Sequence, residues 1–221
     1  MRWFEYAGHN SDGFDITVTR IPPAPRPIER VTKLTIPGKS GTLTISDGVY
    51  EEVTFEVEMI LRDTDRIYEV QEWLTGHGDL IVSLRPDRKY SAWVDAVDTS
   101  YFSVLHQIMV MFRCHPFVKE ASPSEHIVAD DTLVLINPSV FDAYPTITFD
   151  GTVVINGDTF VAATELTVDA EAMVVTKESG GETVSATADL TGYVGDLKLV
   201  PGENTIVVTG NATITPTWRW L

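Results

Sequence analysis

The side chains able to do acid–base, metal or nucleophile chemistry are thinly spread along this chain. The histidines are His9, His77, His106, His115 and His126, and no two stand at metal-ligand spacing with a supporting acid. Cys114 and His115 are adjacent, but a structural zinc site needs four ligands. The pair reads as a strand-end thiol beside a surface imidazole. Asp130–Asp131 and Glu51–Glu52 are paired carboxylates. Neighbours on a strand point to opposite faces, so these pairs are suited to solvation rather than joint acid/base work. GKSG (38–41) lacks the first glycine and the following helix of a phosphate loop. DGTVVINGD (150–158) sets acids beside glycines without the ligand order of an EF-hand. No catalytic residue, metal ligand or cofactor is expected, and the chain is not expected to be an enzyme.

The aromatic residues of TPTWRWL, at the end of the sequence, offer a different chemistry. Trp218 and Trp220 lie two apart, so on a strand both face one side and Arg219 the other. An exposed indole pair stacks on sugars; a buried one closes a core or docks on a neighbouring domain. Large aromatics are usually buried, so Trp218 and Trp220 are expected to act as a packing clasp.

The elements that must position these residues are mostly strands, because the dominant apolar period is two. FDITVTRI (14–21) and VTFEVEMIL (53–61) alternate, and between them lies PPAPRPIER (22–30). Proline has no N–H to donate, so this passage predicts an extended connector and, over about 20–52, an extended arm. DTDRIYEVQEWLTGHG (63–78) breaks the period. Ile67, Val70 and Leu74 are spaced as on a helix over about 65–76, with Thr64 or Asp65 as the cap and Gly76 or Gly78 as the stop. LIVSL, YSAWVDAVDTSY and HQIMVMFRC follow as strands, with RPDRK (85–89) as a turn. The sequence then turns polar, and a boundary is expected near 122. The second half predicts many short strands with Gly and Asn at the reversals, among them TITFDG, TVVING and TIVVTGNATIT, as in a β-sandwich. Asn156–Gly157 and Gly210–Asn211 are both expected to turn the chain.

Composition narrows the partners. The 221 residues include 16 basic and 32 acidic ones, a formal net charge of -16. Only Lys177, Lys198 and Arg219 are basic after position 125. Such a surface repels phosphate backbones, which argues against tight grip on nucleic acid but permits its passage. One cysteine makes an internal disulfide impossible and fits a reducing cytoplasm. No segment predicts a signal peptide or a membrane span.

Five features in order resemble the distal tail (Dit) proteins of long-tailed, non-contractile bacteriophages. They are FEYAGHNSDGFDITV before the proline-rich link; IPGKSGTLTISDGVYEEVTFEVEM, similar to a "G-[RK]-[DS]-G-x-L" passage; one short helix ending at GHGDLIVSL; MVMFRCHPFVKE, similar to "F-x-C-x-P-[FY]"; and LVPGENTIVVTGNATITPTWRWL, similar to "L-x-P-G-x-N-x-I-x-[VI]-x-G" with a basic-aromatic end. Ser40 stands where the family favours an acid. The resemblance implies an all-β chain with one short helix. Residues 1–122 would form an N-terminal β-sandwich or split-barrel ring domain, and 123–221 a C-terminal galectin-like β-sandwich. It implies a structural virion protein, made in the host cytoplasm, that forms a hexameric ring at the tail tip. Its partners would be five further copies, the tail tube protein, the hub or tail-associated protein and, in some phages, a receptor-binding protein, with DNA passing through the ring. The ring contacts are expected around Pro27, Ile36, Lys39, Leu43, Val53 and Phe55. The alternatives are a carbohydrate-binding module that uses the C-terminal sandwich, and a related tail-tube or baseplate ring protein.

Overall fold

The computed structural model describes residues 2–23, 25–102 and 105–221, so Ala24, inside the expected arm, lies outside the described residues. The chain is mainly β with curled sheets and divides into two compact units, one up to Ala121 and one over Ser122–Trp220.

The first unit contains β1 (Phe4–Tyr6), β2 (His9–Asn10), β3 (Ile16–Arg20), β4 (Glu29–Thr35), β5 (Thr42–Tyr50), β6 (Val53–Leu61), α1 (Ile67–Trp73), β7 (His77–Val82), β8 (Arg85–Phe102) and β9 (Leu105–Glu120). One sheet runs in the order β2-β1-β7-β8-β9-β6-β3. Its alternating inward residues form the core: Phe55, Val57, Met59 and Leu61 from β6 face Ile108, Val110, Phe112 and Cys114 from β9, all fully buried or nearly so. The helix is shorter than the spacing suggested, because a 3-10 turn over Thr64–Arg66 precedes it and Asp63, not Thr64 or Asp65, accepts the capping bond from the Asp65 N–H. Val70 and Leu74 are buried, and Trp73 is stacked between Phe4 and Phe14 at 5.3 and 4.4 Å. RPDRK is not a simple turn. Arg85 already pairs with Val82, and the register shifts between Ile81 and Val82, so 86–88 have no partner on β7, while Arg88 pairs with Glu120 on β9.

The second unit contains β10 (His126–Ala129), β11 (Thr132–Asn137), β12 (Thr146–Ile155), β13 (Asp158–Asp169), β14 (Val174–Ser179), β15 (Glu182–Ser185), β16 (Leu190–Thr191), β17 (Gly202–Thr215) and β18 (Arg219–Trp220). Its sheet runs β10-β17-β12-β13-β14-β15, with β11 also on β17 and β16 also on β13. Asn156–Gly157 turns β12 into β13, both residues at positive φ and Ile155 paired with Asp158, as a two-residue hairpin requires. Gly210–Asn211 does not turn the chain. β17 continues through it, just as β12 continues through Asp150–Gly151.

The reason is a paired glycine crossing. Gly151 and Gly210 face each other in register, at φ +93 and +104. A Cβ on Gly151 would meet the Thr209 carbonyl oxygen at 2.2 Å, and one on Gly210 the Asp150 carbonyl oxygen at 2.3 Å. Glycine is needed for close backbone approach, not for reversal. Asp150 is bulged relative to β13, and its carboxylate accepts from the Asn211 N–H at 2.8 Å. Asp130 accepts from the Gly210 N–H at 2.8 Å.

Gly210→Ala is therefore expected to destabilise the second unit by about 2 kcal/mol or more, seen as a lower denaturant midpoint for that unit. Burial pushes the Cys114 thiol up to about 12. Below pH ~9 the thiol is protonated whether the chain is folded or not. Above that, only the unfolded chain ionises, so the first unit should lose stability as pH rises from there toward 12. A Cys114→Ala chain should lack this component of the alkaline limb in pH-dependent unfolding.

Candidate assembly interface

Among the described residues β4 and β5 pair only with each other. Across Leu34↔Leu43 and Thr32↔Ile45 the side chains share one face, because residues two apart and residues directly opposite point the same way. Ile36 continues that face. Leu34, Ile36, Leu43 and Ile45 are 41–50% exposed, an apolar stripe on a ribbon with no second layer. The other face carries Val31 with Lys33, Thr35, Thr42, Thr44 and Ser46. An isolated two-stranded hairpin is at best marginally stable in water, and no strand of the first unit's sheet covers this one.

The base of the ribbon is fixed by polar contacts. The Glu51 N–H donates to the Ile28 carbonyl at 2.8 Å, and Arg30 Nε to Glu51 Oε1 at 2.8 Å. Ser46 Oγ donates to Glu29. Tyr50 meets Phe117 edge-on at 5.9 Å, and Phe117 lies 5.9 Å from His115. At the tip the Lys39 N–H donates to the Ile36 carbonyl at 3.1 Å, closing a turn with Gly38 at positive φ. The expected extended arm is thus a hairpin. Exposed ion pairs such as Arg30–Glu51 contribute little to stability. They set where the ribbon leaves the unit.

The residues expected at a ring contact separate into two groups. Ile36, Lys39 and Leu43 lie exposed on the hairpin. Val53 and Phe55 are 7% and 0% exposed in the first unit's own core, and Pro27 is also buried. The alternation that singled out Val53 and Phe55 marks the inward face of β6, which corrects their assignment as contact side chains. Leu34 and Ile45, which the sequence reading left out, complete the stripe. The signal for them was the mirrored alternation about PGKSG, which pairs 34 with 43 and 32 with 45.

In the second unit Trp218 is 8% exposed and belongs to the core with Phe149, Ile147 and Ile214, and Trp220 packs partly buried against that core. Arg219 Cζ lies 4.6 Å from the Tyr144 ring centroid, a cation–π contact. The outward face of β11, β17, β12 and β13 is a further surface that sequence reasoning missed. Val134, Ile136, Val207 and Val161 are 37–69% exposed there among Thr132, Thr205, Thr209 and Thr159. Among the described residues no group of three or more His, Cys, Asp and Glu side chains could hold a metal ion, and no helix is long and apolar enough to cross a membrane.

Trp218→Ala should cost the second unit about 3–5 kcal/mol, read as a drop in its unfolding midpoint. Leu43→Ser, at concentrations where the chain is monomeric, should change stability by less than about 0.5 kcal/mol.

No protein-family model matches the sequence, and no curated protein matches it. The likeness is in the fold. The chain superposes on the Dit (gp 19.1) protein of phage SPP1, a protein described as a paradigm of the hub adsorption apparatus in phages infecting Gram-positive bacteria, with a TM-score of 0.73 over 100% of both chains at 15% identity. It also superposes on a chain of the phage p2 baseplate in its activated conformation with Sr, with a TM-score of 0.58 over 98% of both chains at 6% identity. From end to end, this chain has the fold of a phage distal tail protein.

Proposed function

We propose that the chain is a structural subunit of a phage tail tip. Six copies close into a ring that joins the tail tube to the hub or tail-associated protein. DNA passes through the ring, and receptor-binding components attach around it. The role is one of assembly, not catalysis. The observation that carries this reading is the β4–β5 hairpin: a ribbon with an exposed apolar stripe, on a chain whose whole length shares the fold of the SPP1 Dit protein.

A closed ring needs a heterologous contact, in which one patch meets a different patch on the next copy. The hairpin supplies one side of it. Covering a half-exposed Leu or Ile contributes roughly 1 kcal/mol, so Leu34, Ile36, Leu43 and Ile45 together give each junction a useful driving force. The net charge of -16 suits a lumen along which DNA slides without sticking.

The ring predicts a solution mass near 147 kDa, six times 24.5 kDa, by sedimentation or native mass spectrometry. Because Ile28 and Glu51 are hydrogen-bonded at 2.8 Å, residues 29–50 can be replaced by a short Gly-Ser linker without straining the unit. That variant should run as a monomer, somewhat below the 24.5 kDa of the intact chain, with both units still folded. A ring that survives the excision removes the hairpin from the contact.

A further inference from the structure

In the second unit's sheet β10 and β11 both lie along one side of β17, and β12 lies along the other. The register on β17 steps by one residue between Ala129↔Asn211 and Thr132↔Val207. Asp130, at positive φ, sits in that step and interrupts the edge there. Beyond it β11 runs for six residues, TLVLIN (132–137). It pairs with β17 alone, and among the described residues no other backbone or side-chain group hydrogen-bonds to the backbone of Leu133–Ile136. The N–H and C=O groups on its far side are therefore open to a further strand.

Exposed sheet edges are ordinarily blunted by a charge, a proline or a bulge along the strand. β11 carries none of these within 132–137. The opposite edge of the sheet, β15, is four residues long and includes Glu182. On β11 the outward side chains are Thr132, Val134 and Ile136, all exposed, and Val207 and Val154 continue that face on β17 and β12. Charge stands only at the two ends. Asp130 and Asp131 are exposed just before β11, and Glu203, also exposed, lies opposite Ile136. No Lys or Arg occurs in β10, β11, β12, β13 or β17. Lys177 and Lys198 are paired with Asp189 and Asp142, and Arg219 lies against the Tyr144 ring. No cation of this unit answers the carboxylates at the ends of β11.

We propose that β11 accepts an added strand from another protein, an extended segment with β-branched residues at alternate positions and Lys or Arg at its ends. The backbone of that segment completes the open ladder. Its outward apolar side chains lie beside Val134 and Ile136, and its cationic ends meet Asp130, Asp131 and Glu203. In strand addition the main-chain bonds supply affinity and the flanking side chains supply the choice of partner. A second copy of β11 is the poorer occupant. Antiparallel self-pairing brings Asp131 of each copy toward Glu203 of the other, and like charges across strands repel. The inference is independent of the ring, because it uses only the second unit's own sheet.

The test uses the full-length chain and a synthetic peptide, KKVTITVKK, capped at both ends, with hydrogen–deuterium exchange of the segment 132–137 as the readout. The peptide should slow exchange there saturably. A proline version, KKVPPPVKK, should not, because its middle has no N–H to donate toward either edge. An acidic version, EEVTITVEE, should bind more weakly by about tenfold or more. Val134→Lys, which places a charge on the edge, should weaken KKVTITVKK by roughly tenfold, and Glu203→Gln by about twofold. Both variants should keep the melting temperature of the second unit, since both side chains are exposed. An absence of saturable protection by KKVTITVKK, or equal protection by KKVPPPVKK, overturns strand addition. Equal binding of EEVTITVEE overturns the basic ends of the partner. Protection of 132–137 that grows with protein concentration when no peptide is present overturns another protein as the occupant and assigns the edge to a second copy.

Discussion

A two-stranded ribbon leaves both of its edges and both of its side-chain faces without a partner. That constraint governs the first unit of this protein. Among the described residues β4 and β5 pair with each other and with no other strand, so only the backbone groups that point between them are paired, and both side-chain faces stay exposed. Adding a second layer from within the same unit would require a strand or helix that the sheet order does not leave free. The first unit leaves the apolar stripe uncovered, and in the proposed ring its energetic value would appear on assembly. The contacts at Arg30, Glu51, Tyr50 and Phe117 make sense in that light. They hold the base of the ribbon so that the rest can project.

The two cores need no such help. In the first, Phe4 and Tyr6 both meet the Phe112 ring and Phe55 meets Tyr90, all of them buried. In the second, Phe149, Phe160 and Trp218 close the sandwich. Each unit thus gains its stability from alternating strands around its own apolar interior. The surface elements are then free to be shaped by assembly. The glycine crossing at 151 and 210 belongs to this division of labour. It lets two long strands approach closely, so that β17 can carry β11 on one half and β10 on the other while its inward residues stay in one core.

Electrostatics works against association here. Net charge of this size makes copies repel one another, and the exposed ion pairs return little. An uncharged stripe on the hairpin, with Leu34, Ile36, Leu43 and Ile45, is a surface that two such copies can share.

Much of this was legible in the residues. Period-two runs located most strands, Asn156–Gly157 located a hairpin, the spacing of Ile67, Val70 and Leu74 located the helix, and the proline run located the connector to the arm. The failures share one cause. Gly210–Asn211 has the composition of a turn, yet Ile206, Val208, Ala212 and Ile214 keep an unbroken phase across it, and what the glycine serves is the close approach of a distant backbone, at Asp150. Val53 and Phe55 alternate as an interface strand would, but so does any core strand. The sequence by itself determined which side chains on each strand shun water and where the chain cannot form helix or central strand, because those are local properties of period and proline. Only the tertiary structure decided whose apolar surface each face meets, since strand partners are chosen by pairing between distant segments. For Phe55 the answer is this chain's own core, and for Leu34 and Leu43 no surface of the unit supplies it.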